Sequence, residues 1–262
     1  MRYGVLSDVH GNLHALAAVL VALAEHDVDL NLCAGDLVGY GPHPDECVAL
    51  LAGAGVICVA GNHDRMAVGQ LGERHAGVLA RDTLAWTRQT MSARTRGFLE
   101  GLPGAALVED VMVAHGSPDD VEEYVRDPER AGELLSGLPP DASFLVLGHT
   151  HHQWAVGSRR GTVLSRSTGV VELPAEERHL LNPGSVGQSR DGDALARYLV
   201  LDTTVGTADF RAVPYDVAGS DAALRQAGLP VRGLNSTNHS VRELALGARR
   251  RVRARVGRSA VG

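Results

Sequence analysis

The sequence contains no lysine, so all 25 of its basic residues are arginine. We interpret this as a bias of composition without functional meaning, because arginine also stands at solvated positions that either residue could fill. Acidic residues outnumber basic ones, and the formal net charge is −6. This charge argues against a protein whose whole surface binds nucleic acid. An anionic ligand would therefore have to be held by local positive charge, such as bound metal ions.

Cysteine is scarce, and long apolar runs are missing. The three cysteines form no CxxC pattern and lie in apolar stretches, at Cys33, Cys47 and Cys58. Such residues behave as small buried hydrophobic groups, so no disulfide framework is expected. No apolar run approaches the ~20 residues that span a bilayer, and the first residues lack the charged lead and apolar stretch of a signal peptide. We therefore expect a cytoplasmic protein without a membrane span.

The first sixty residues alternate between strand and helix patterns. Short apolar segments at 3–6, 30–34 and 56–60 are predicted to be strands. Apolar residues at helical spacing predict a helix over 13–25, and Pro44 at a first helical position begins a second helix that extends to about residue 54. Alternation of this kind predicts parallel strands with helices packed against the sheet.

The pattern changes after residue 64. Residues 64–104 lack strand signals and are predicted to form a helical insertion at one rim. Beyond them we predict a strand at 111–114, a helix at 129–138 and a strand at 144–147. Residues 154–215 are predicted to form short antiparallel strands of a second sheet, and 220–227 a last helix.

Neither an internal repeat nor a low-complexity linker is evident, so residues 1–262 are predicted to form a single domain. A basic tail, residues 249–262, carries six arginines between Arg249 and Arg258. The tail has two interpretations: an arm that binds phosphate or nucleic acid, and a solvated chain end. Chain ends usually behave in the second way.

Metal-competent residues follow the predicted strands at the points where these strands end. They are, in chain order, Asp8, His10, Asp36, Asn62, His63, His115, His149 and His151. Because ligands bind beyond the carboxyl ends of the strands in open α/β sheets, these side chains are expected to converge. Side chains two residues apart leave an extended chain on the same side. Asp8 and His10 can therefore face one site together, and so can His149 and His151.

The chemistry of this set indicates a pair of transition-metal ions. Oxygen and nitrogen donors without a thiolate suit Mn²⁺, Fe, Ni²⁺, Co²⁺ or Zn²⁺, and several imidazoles argue against an all-oxygen Ca²⁺ or Mg²⁺ site. The seven members other than His63 already exceed what one ion with an open position can use, whereas two ions that share a carboxylate can use all seven. Paired ions ~3.5–4 Å apart can hold both the attacking and the leaving oxygen of a phosphoryl displacement.

Any single member of the set is weak evidence. A lone Asp at a strand end usually caps a helix or shapes a turn, and a lone His is usually a satisfied surface or core residue. The hypothesis depends on their joint occurrence beside glycine at five strand ends of one chain.

Six segments then occur in a fixed order: SDVHGN, GDLVGYGP, GNHD, HGSP, GHTH and NPGSVGQ. Together they resemble the calcineurin-like metallophosphoesterase superfamily, and the last segment and the short layout are most similar to its small bacterial and archaeal phosphodiesterase branch. The resemblance spans about residues 3–202. It implies an α/β fold, a four-layer α-β-β-α sandwich of two mixed sheets with flanking helices.

The resemblance also implies a role for each member of the set. One metal would be held by Asp8, His10, Asp36 and His151. The second would be held by Asn62, His115 and His149, with Asp36 as the bridge. His63 resembles the histidine beside the leaving group, a general acid, and Asn62 and Asp36 are the other catalytic candidates. The implied cofactors are two divalent transition-metal ions, with Mn²⁺ favoured, and the implied reaction is in-line attack of a metal-bridging hydroxide on a phosphate ester.

Residues near the set have two interpretations each. Asn12 and Tyr40 are candidates for substrate binding, but Asn12 could equally cap the following helix. Tyr40 and His43 could line the pocket, and could equally shape the loop in which they lie. We favour a structural role for Asn182 and Ser185, which lie in the NPGS segment.

Other positions are assigned no role in the chemistry. Gln153 stands where relatives often have proline, and this departure leaves the ligand set intact. Apart from His43, the histidines outside the set are interpreted as structural or solvated: His14, His26, His75, His152, His179 and His239.

The favoured function is hydrolysis of a small or nucleotide-like phosphodiester. A phosphomonoesterase and a non-catalytic interaction scaffold of the same fold are the alternatives, and a scaffold would tolerate loss of ligands that this chain retains. A DNA nuclease would need a basic groove or an added domain, so nucleic acid is not favoured as a partner. The expected partner is a small phosphate ester, and the oligomeric state is left open.

Overall fold

A computed structural model describes residues 1–159, 168–231 and 234, and the backbone of 163–165. The alternation predicted for the first sixty residues is confirmed. The strands are β1 (Arg2–Leu6), β2 (Leu30–Cys33) and β3 (Ile57–Cys58), and the helices are α1 (Leu13–Leu23) and α2 (Pro44–Gly53). The three strands are parallel, as predicted.

The next segment is helical, with α3 (Asn62–Ala67), α4 (Val78–Thr90) and α5 (Ala93–Glu100). A hairpin of β4 (Ala105–Val108) and β5 (Val111–Ala114) follows, and only its second strand was predicted. The chain continues through α6 (Pro128–Ser136) and β6 (Phe144–Val146), close to their predicted positions. The basic tail, 249–262, lies outside the described residues.

The last part of the described chain corrects one prediction. It contains β7 (Gln153–Gly157), β8 (Val163–Ser165), β9 (Gly169–Glu172), β10 (His179–Pro183), β11 (Leu195–Asp202), β12 (Thr207–Pro214) and α7 (Val217–Gln226). We expected these strands in a second sheet, but β9, β11 and β12 join the first. The reason is that β11 pairs antiparallel with the edge of β1 that β2 leaves open, while Leu199 and Leu201 pack in the same cluster as Tyr3 and Val5.

Both sheets are mixed. The first has the order β3-β2-β1-β11-β12-β9, with parallel pairs on one side of β1 and antiparallel pairs on the other. The second has the order β4-β5-β6-β10-β7-β8, in which β5, β6 and β10 are parallel and the outer strands are antiparallel.

Alternate residues of the strands divide the core into layers. On β1, Tyr3 and Val5 pack between the two sheets with residues of the second sheet such as Val146. Leu6 lies on the other face, in a cluster with Leu16 of α1 and further residues of the N-terminal helices. Helix α6 covers the outer face of the second sheet. These contacts confirm the predicted arrangement of two mixed sheets with flanking helices. Among the described residues, no helix combines the length and apolarity needed to cross a membrane.

A buried carboxylate joins the segments that follow β2 and β3. Asp64 is fully buried in α3. One of its oxygens accepts the backbone N–H groups of Leu37 and Val38, at 2.9 and 3.2 Å, and the other accepts that of Gly61 at 2.8 Å. Burial and the charge of Asp36 raise the pKa of the Asp64 carboxyl to about 7. Asp64 therefore fixes two loops that would otherwise leave buried amide groups unpaired.

We expect Asp64→Ala to lower the free energy of unfolding by about 3 kcal/mol or more, because three buried amide groups lose their acceptor. Urea unfolding followed by circular dichroism measures this change. Asp45→Ala is the matched control: Asp45 also accepts a backbone N–H, from Ser92, but at the surface, and its loss should cost about 1 kcal/mol. Equal effects of the two substitutions would contradict the assigned role of Asp64.

Candidate metal centre

The structure brings together all eight residues of the predicted set. In the first sheet, Asp8 and His10 follow β1, Asp36 follows β2, and Asn62 and His63 begin α3, the helix after β3. The second sheet contributes His115 after β5, and His149 and His151 after β6. Each of the eight is at most 7% exposed. The carboxyl ends of five strands, from two different sheets, therefore surround one buried polar cluster.

The backbone of the cluster is unusual. Its donors after β1, β2 and β6 have positive φ angles between 51° and 65°, at Asp8, His10, Asp36, His149 and His151. Residues other than glycine rarely adopt this conformation, and where they do it often marks a functional site. Neighbouring glycines allow the close approach that these turns need. A Cβ at Gly61 would lie 2.0 Å from Asp36 Oδ1, and one at Gly148 would lie 2.1 Å from the hydroxyl of Ser7.

Asp36 lies between two groups of donors. Its Oδ2 is 3.6 Å from His10 Nε2 and 3.4 Å from His115 Nε2. Its Oδ1 accepts the backbone N–H of His63 at 2.8 Å. One carboxylate therefore has imidazoles of both sheets around it, and its orientation is fixed by the backbone of α3.

The first group contains Asp8, His10 and His151. Nε2 of His151 is 3.2 Å from Asp8 Oδ1, and it is also 3.2 Å from Nε2 of His10. The second group contains Asp36, His115 and His149. Asn62 adds its side-chain oxygen to this group, 3.0 Å from His115 Nε2. The donors of each group are close enough to surround a single ion.

Backbone carbonyl groups fix which ring nitrogen faces the cluster. Nδ1 of His10 donates to the carbonyl oxygen of Val38 at 3.3 Å. Nδ1 of His115 donates to that of Ala34, and Nδ1 of His151 to that of Gln188, both at 2.7 Å. Since a carbonyl only accepts, each of these rings is oriented with Nε2 toward the centre. His149 has the reverse orientation, because its Nε2 donates to the carbonyl oxygen of Glu122 at 3.2 Å and leaves Nδ1 for the cluster.

Charge is strongly coupled in the cluster. Burial raises the pKa of the Asp8 and Asp36 carboxyls, but neighbouring histidines, led by His151 for Asp8 and His115 for Asp36, outweigh it and hold both pKa values below the usual range. Burial lowers the pKa of His115, but Asp36 raises it to about 9. Burial, together with the charge of His115, lowers the pKa of His149 to about 3. Two buried carboxylates thus attract positive charge into the cluster.

A cavity of about 240 Å³ opens beside this cluster, and His63, Asn62 and Tyr40 line it. The Tyr40 ring lies 4.7 Å from that of His63 and 4.8 Å from that of His10. Nδ1 of His63 is buried and has no hydrogen-bond partner in the described part of the chain; it faces Gly39, where a Cβ would approach to 2.4 Å. This packing leaves Nε2 as the nitrogen of His63 that can act in the cavity.

Asn12 is already engaged by the fold. Its side-chain oxygen accepts the N–H of Ala15 and so caps α1, and its amide nitrogen donates to the carbonyl oxygen of Gly187. Capping, one of the two interpretations of Asn12, is thus present, while substrate contacts of Asn12 and Tyr40 stay predictions. Neither described cavity at the cluster has His43 in its lining.

Asn182 and Ser185 support the cluster from behind. Asn182 donates to the carbonyl oxygen of Gly148 at 2.6 Å, and Ser185 donates to that of Asp8 at 2.8 Å. These contacts agree with the structural role that we favoured. The side chain of Gln153 is buried and donates to the carbonyl oxygens of Tyr198 and Arg211. It therefore joins the two sheets.

Several residues at the rim were not singled out from the sequence. The Tyr124 ring packs against the His149 ring, with centroids 3.8 Å apart, and the guanidinium of Arg126 lies 4.5 Å from the Tyr124 centroid. Glu122 and Gln188 contribute backbone oxygens to His149 and His151. These residues lie in loops without periodicity, and only the aromatic Tyr124 next to the basic Arg126 offered a signal.

Comparison with known proteins agrees with the geometry. Residues 1–206 match the sequence model of the calcineurin-like phosphoesterase superfamily domain. The crystal structure of a metallophosphoesterase from Sphaerobacter thermophilus is similar, with 34% identity and a TM-score of 0.78, over 89% of this chain and 97% of that one.

Two further relatives extend the comparison. An uncharacterized protein of Methanocaldococcus jannaschii is 31% identical over 226 residues, which are 81% of this chain and 87% of that protein. A hypothetical protein from Pyrococcus horikoshii shares the fold at 17% identity, with a TM-score of 0.70 over 89% of this chain and 98% of that one. The chain therefore belongs to the calcineurin-like phosphoesterase superfamily.

Proposed function

We propose that this protein is a phosphodiesterase whose buried cluster binds two divalent transition-metal ions. The observation that carries the proposal is the position of the Asp36 carboxylate between His10 of one donor group and His115 of the other. A carboxylate placed in this way can be shared by two ions, as paired-metal phosphoryl chemistry needs ions close together.

The donor atoms fit such ions. Nε2 of His10 and Nε2 of His151 face each other at 3.2 Å, while both rings keep their Nδ1 protons on carbonyl groups. Two lone pairs this close need a cation or a proton between them. Imidazole nitrogens and carboxylate oxygens without thiolate suit Mn²⁺, Fe, Co²⁺, Ni²⁺ or Zn²⁺, and Mn²⁺ is the ion that we propose first.

We assign Asp8, His10, His151 and Asp36 to one ion, and Asn62, His115, His149 and again Asp36 to the other. When bound, such a pair lowers the pKa of water and neutralises charge on the non-bridging oxygens of a phosphate ester. Substrate would enter through the cavity of about 240 Å³ that Asn62 and His63 line.

The protein's own residues then act at defined atoms. The Asn62 amide orients the phosphoryl group at the floor of the cavity. Nε2 of His63 holds the proton for the departing oxygen, because its Nδ1 faces Gly39. The Tyr40 ring packs against the His63 ring and limits its rotation.

Asp36→Asn should abolish metal-dependent hydrolysis and lower the metal content of the purified protein, because the shared carboxylate loses its charge. Elemental analysis after loading with Mn²⁺, with parallel rates on bis-p-nitrophenyl phosphate, measures both effects. Asp45→Asn serves as control, since Asp45 accepts hydrogen bonds from Ser92 instead. Full metal content together with full activity in the Asp36 variant would end the proposal of a shared carboxylate.

His63→Gln should lower turnover by a factor of ~10²–10⁴, as expected on loss of a general acid, while the metal content stays unchanged. His63 also lies within ligand distance of His10 and Asp36, so metal analysis decides between the two roles. A loss of metal in this variant would make His63 a ligand. His43→Gln, which changes a histidine outside the cluster, should retain both metal and turnover.

A diester and a monoester with the same p-nitrophenyl leaving group test the substrate class. With Mn²⁺ present, we expect bis-p-nitrophenyl phosphate to be hydrolysed faster than p-nitrophenyl phosphate, and chelator to remove both activities. The reverse preference would indicate a phosphomonoesterase. Protein that is loaded with metal and hydrolyses neither compound would indicate a scaffold.

A further inference from the structure

A second cavity, of about 360 Å³, lies next to the donor cluster. One wall comes from Val125 and Arg126, and another from Thr150, His152 and Trp154. Thr150 stands between two donors of the cluster, and His152 directly follows the second of them. The cavity therefore lies beside the segment that carries His149 and His151.

The walls of this cavity combine apolar surface with a few polar groups. Trp154 and Val125 are buried at 6% and 2% exposure and form the apolar part. Asp191 adds a carboxylate, held in place by Nδ1 of His152 at 2.7 Å and by an ion pair with Arg197 at 3.1 Å. Apolar and aromatic walls with a small number of fixed polar groups are typical of small-molecule sites.

A continuous set of contacts joins this cavity to the cluster. The Tyr124 ring packs against the His149 ring at 3.8 Å, and the exposed Arg126 guanidinium lies 4.5 Å from the Tyr124 ring centroid. Arg126 thus contributes a planar cation to the wall of the 360 Å³ cavity, while Tyr124 and His63 line the smaller cavity. In an in-line displacement the leaving group and the retained groups lie in different directions from phosphorus.

We propose that the 360 Å³ cavity binds the nucleoside that the substrate retains on its phosphate, so that the substrate is a nucleotide diester. The inference rests on the proposed function for the position of the phosphate. The planar base would lie against Trp154 and the Arg126 guanidinium, as bases do on aromatic rings and arginine. The Asp191 carboxylate would accept an N–H group of the base. An alkyl arm would leave both interactions unused.

Trp154 permits a test that does not depend on catalysis. The chain has two tryptophans, and the other, Trp86, lies in α4, so Trp86→Phe leaves Trp154 as the only indole. In the metal-loaded full chain carrying this substitution, we expect adenosine 5′-monophosphate to change the fluorescence saturably. Ribose 5-phosphate, which carries the same phosphate without a base, should have no effect. The nucleotide is checked for integrity after the titration.

Arg126→Ala should weaken this binding about tenfold, a loss in the range for removal of one stacking partner. Arg225→Ala, an exposed arginine on α7, should leave it unchanged. In hydrolysis, the p-nitrophenyl ester of thymidine 5′-monophosphate should exceed methyl p-nitrophenyl phosphate in kcat/KM by about tenfold, and Arg126→Ala should remove this advantage.

The outcomes separate the two proposals. A fluorescence change without dependence on the base, or equal kcat/KM for the two diesters, overturns the nucleoside assignment even when bis-p-nitrophenyl phosphate is hydrolysed. Base-dependent binding without hydrolysis of any diester supports the nucleoside site and overturns the phosphodiesterase.

Discussion

The burial of the Asp36 carboxylate is the constraint on which the rest of the centre depends. One oxygen is fixed by the backbone N–H of His63, and the other lies within 3.6 Å of imidazoles from both sheets. A buried carboxylate is costly unless positive charge or hydrogen bonds surround it. Here the compensation comes from imidazoles, and their nitrogens face inward only because backbone carbonyl groups orient the rings. The electrostatic compensation of the Asp36 carboxylate therefore depends on the path of the backbone.

Hydrogen bonds between the two sheets couple the centre to their packing. The carboxylate of Asp8, from the first sheet, accepts the backbone N–H of His149 in the second at 3.1 and 3.2 Å. His115 of the second sheet donates to the carbonyl oxygen of Ala34 in the first. The apolar cluster between the sheets lies directly beneath these contacts and includes Ala34 and Val113. Assembly of the core therefore positions the donors, and a change that separates the sheets would disperse them.

Much of this centre could be predicted from the sequence because its donors are side chains at strand ends, marked by glycine and by spacing. Asp8, His10, Asp36 and the histidines after β5 and β6 all converge as expected. The joining of β11 and β12 to the first sheet could not be predicted, because strand pairing over long separations leaves no local pattern. The short β4 strand lacks alternation between buried and exposed residues. The carbonyl groups that orient the imidazoles have no sequence signature either, since every residue carries one.

Because backbone carbonyl groups orient the imidazoles, the cluster and the walls of the neighbouring cavity can vary separately. The loop that supplies the Glu122 carbonyl to His149 also supplies Tyr124 and Arg126 to the rim, and the loop that supplies the Gln188 carbonyl to His151 also supplies Asp191. A side chain in either loop can change while the backbone oxygen stays where it is. Ring orientation is thus insensitive to substitutions that alter the cavity walls. Loops on a rigid scaffold commonly carry specificity, and in these loops the oxygens that orient His149 and His151 belong to the backbone, which a side-chain substitution does not remove.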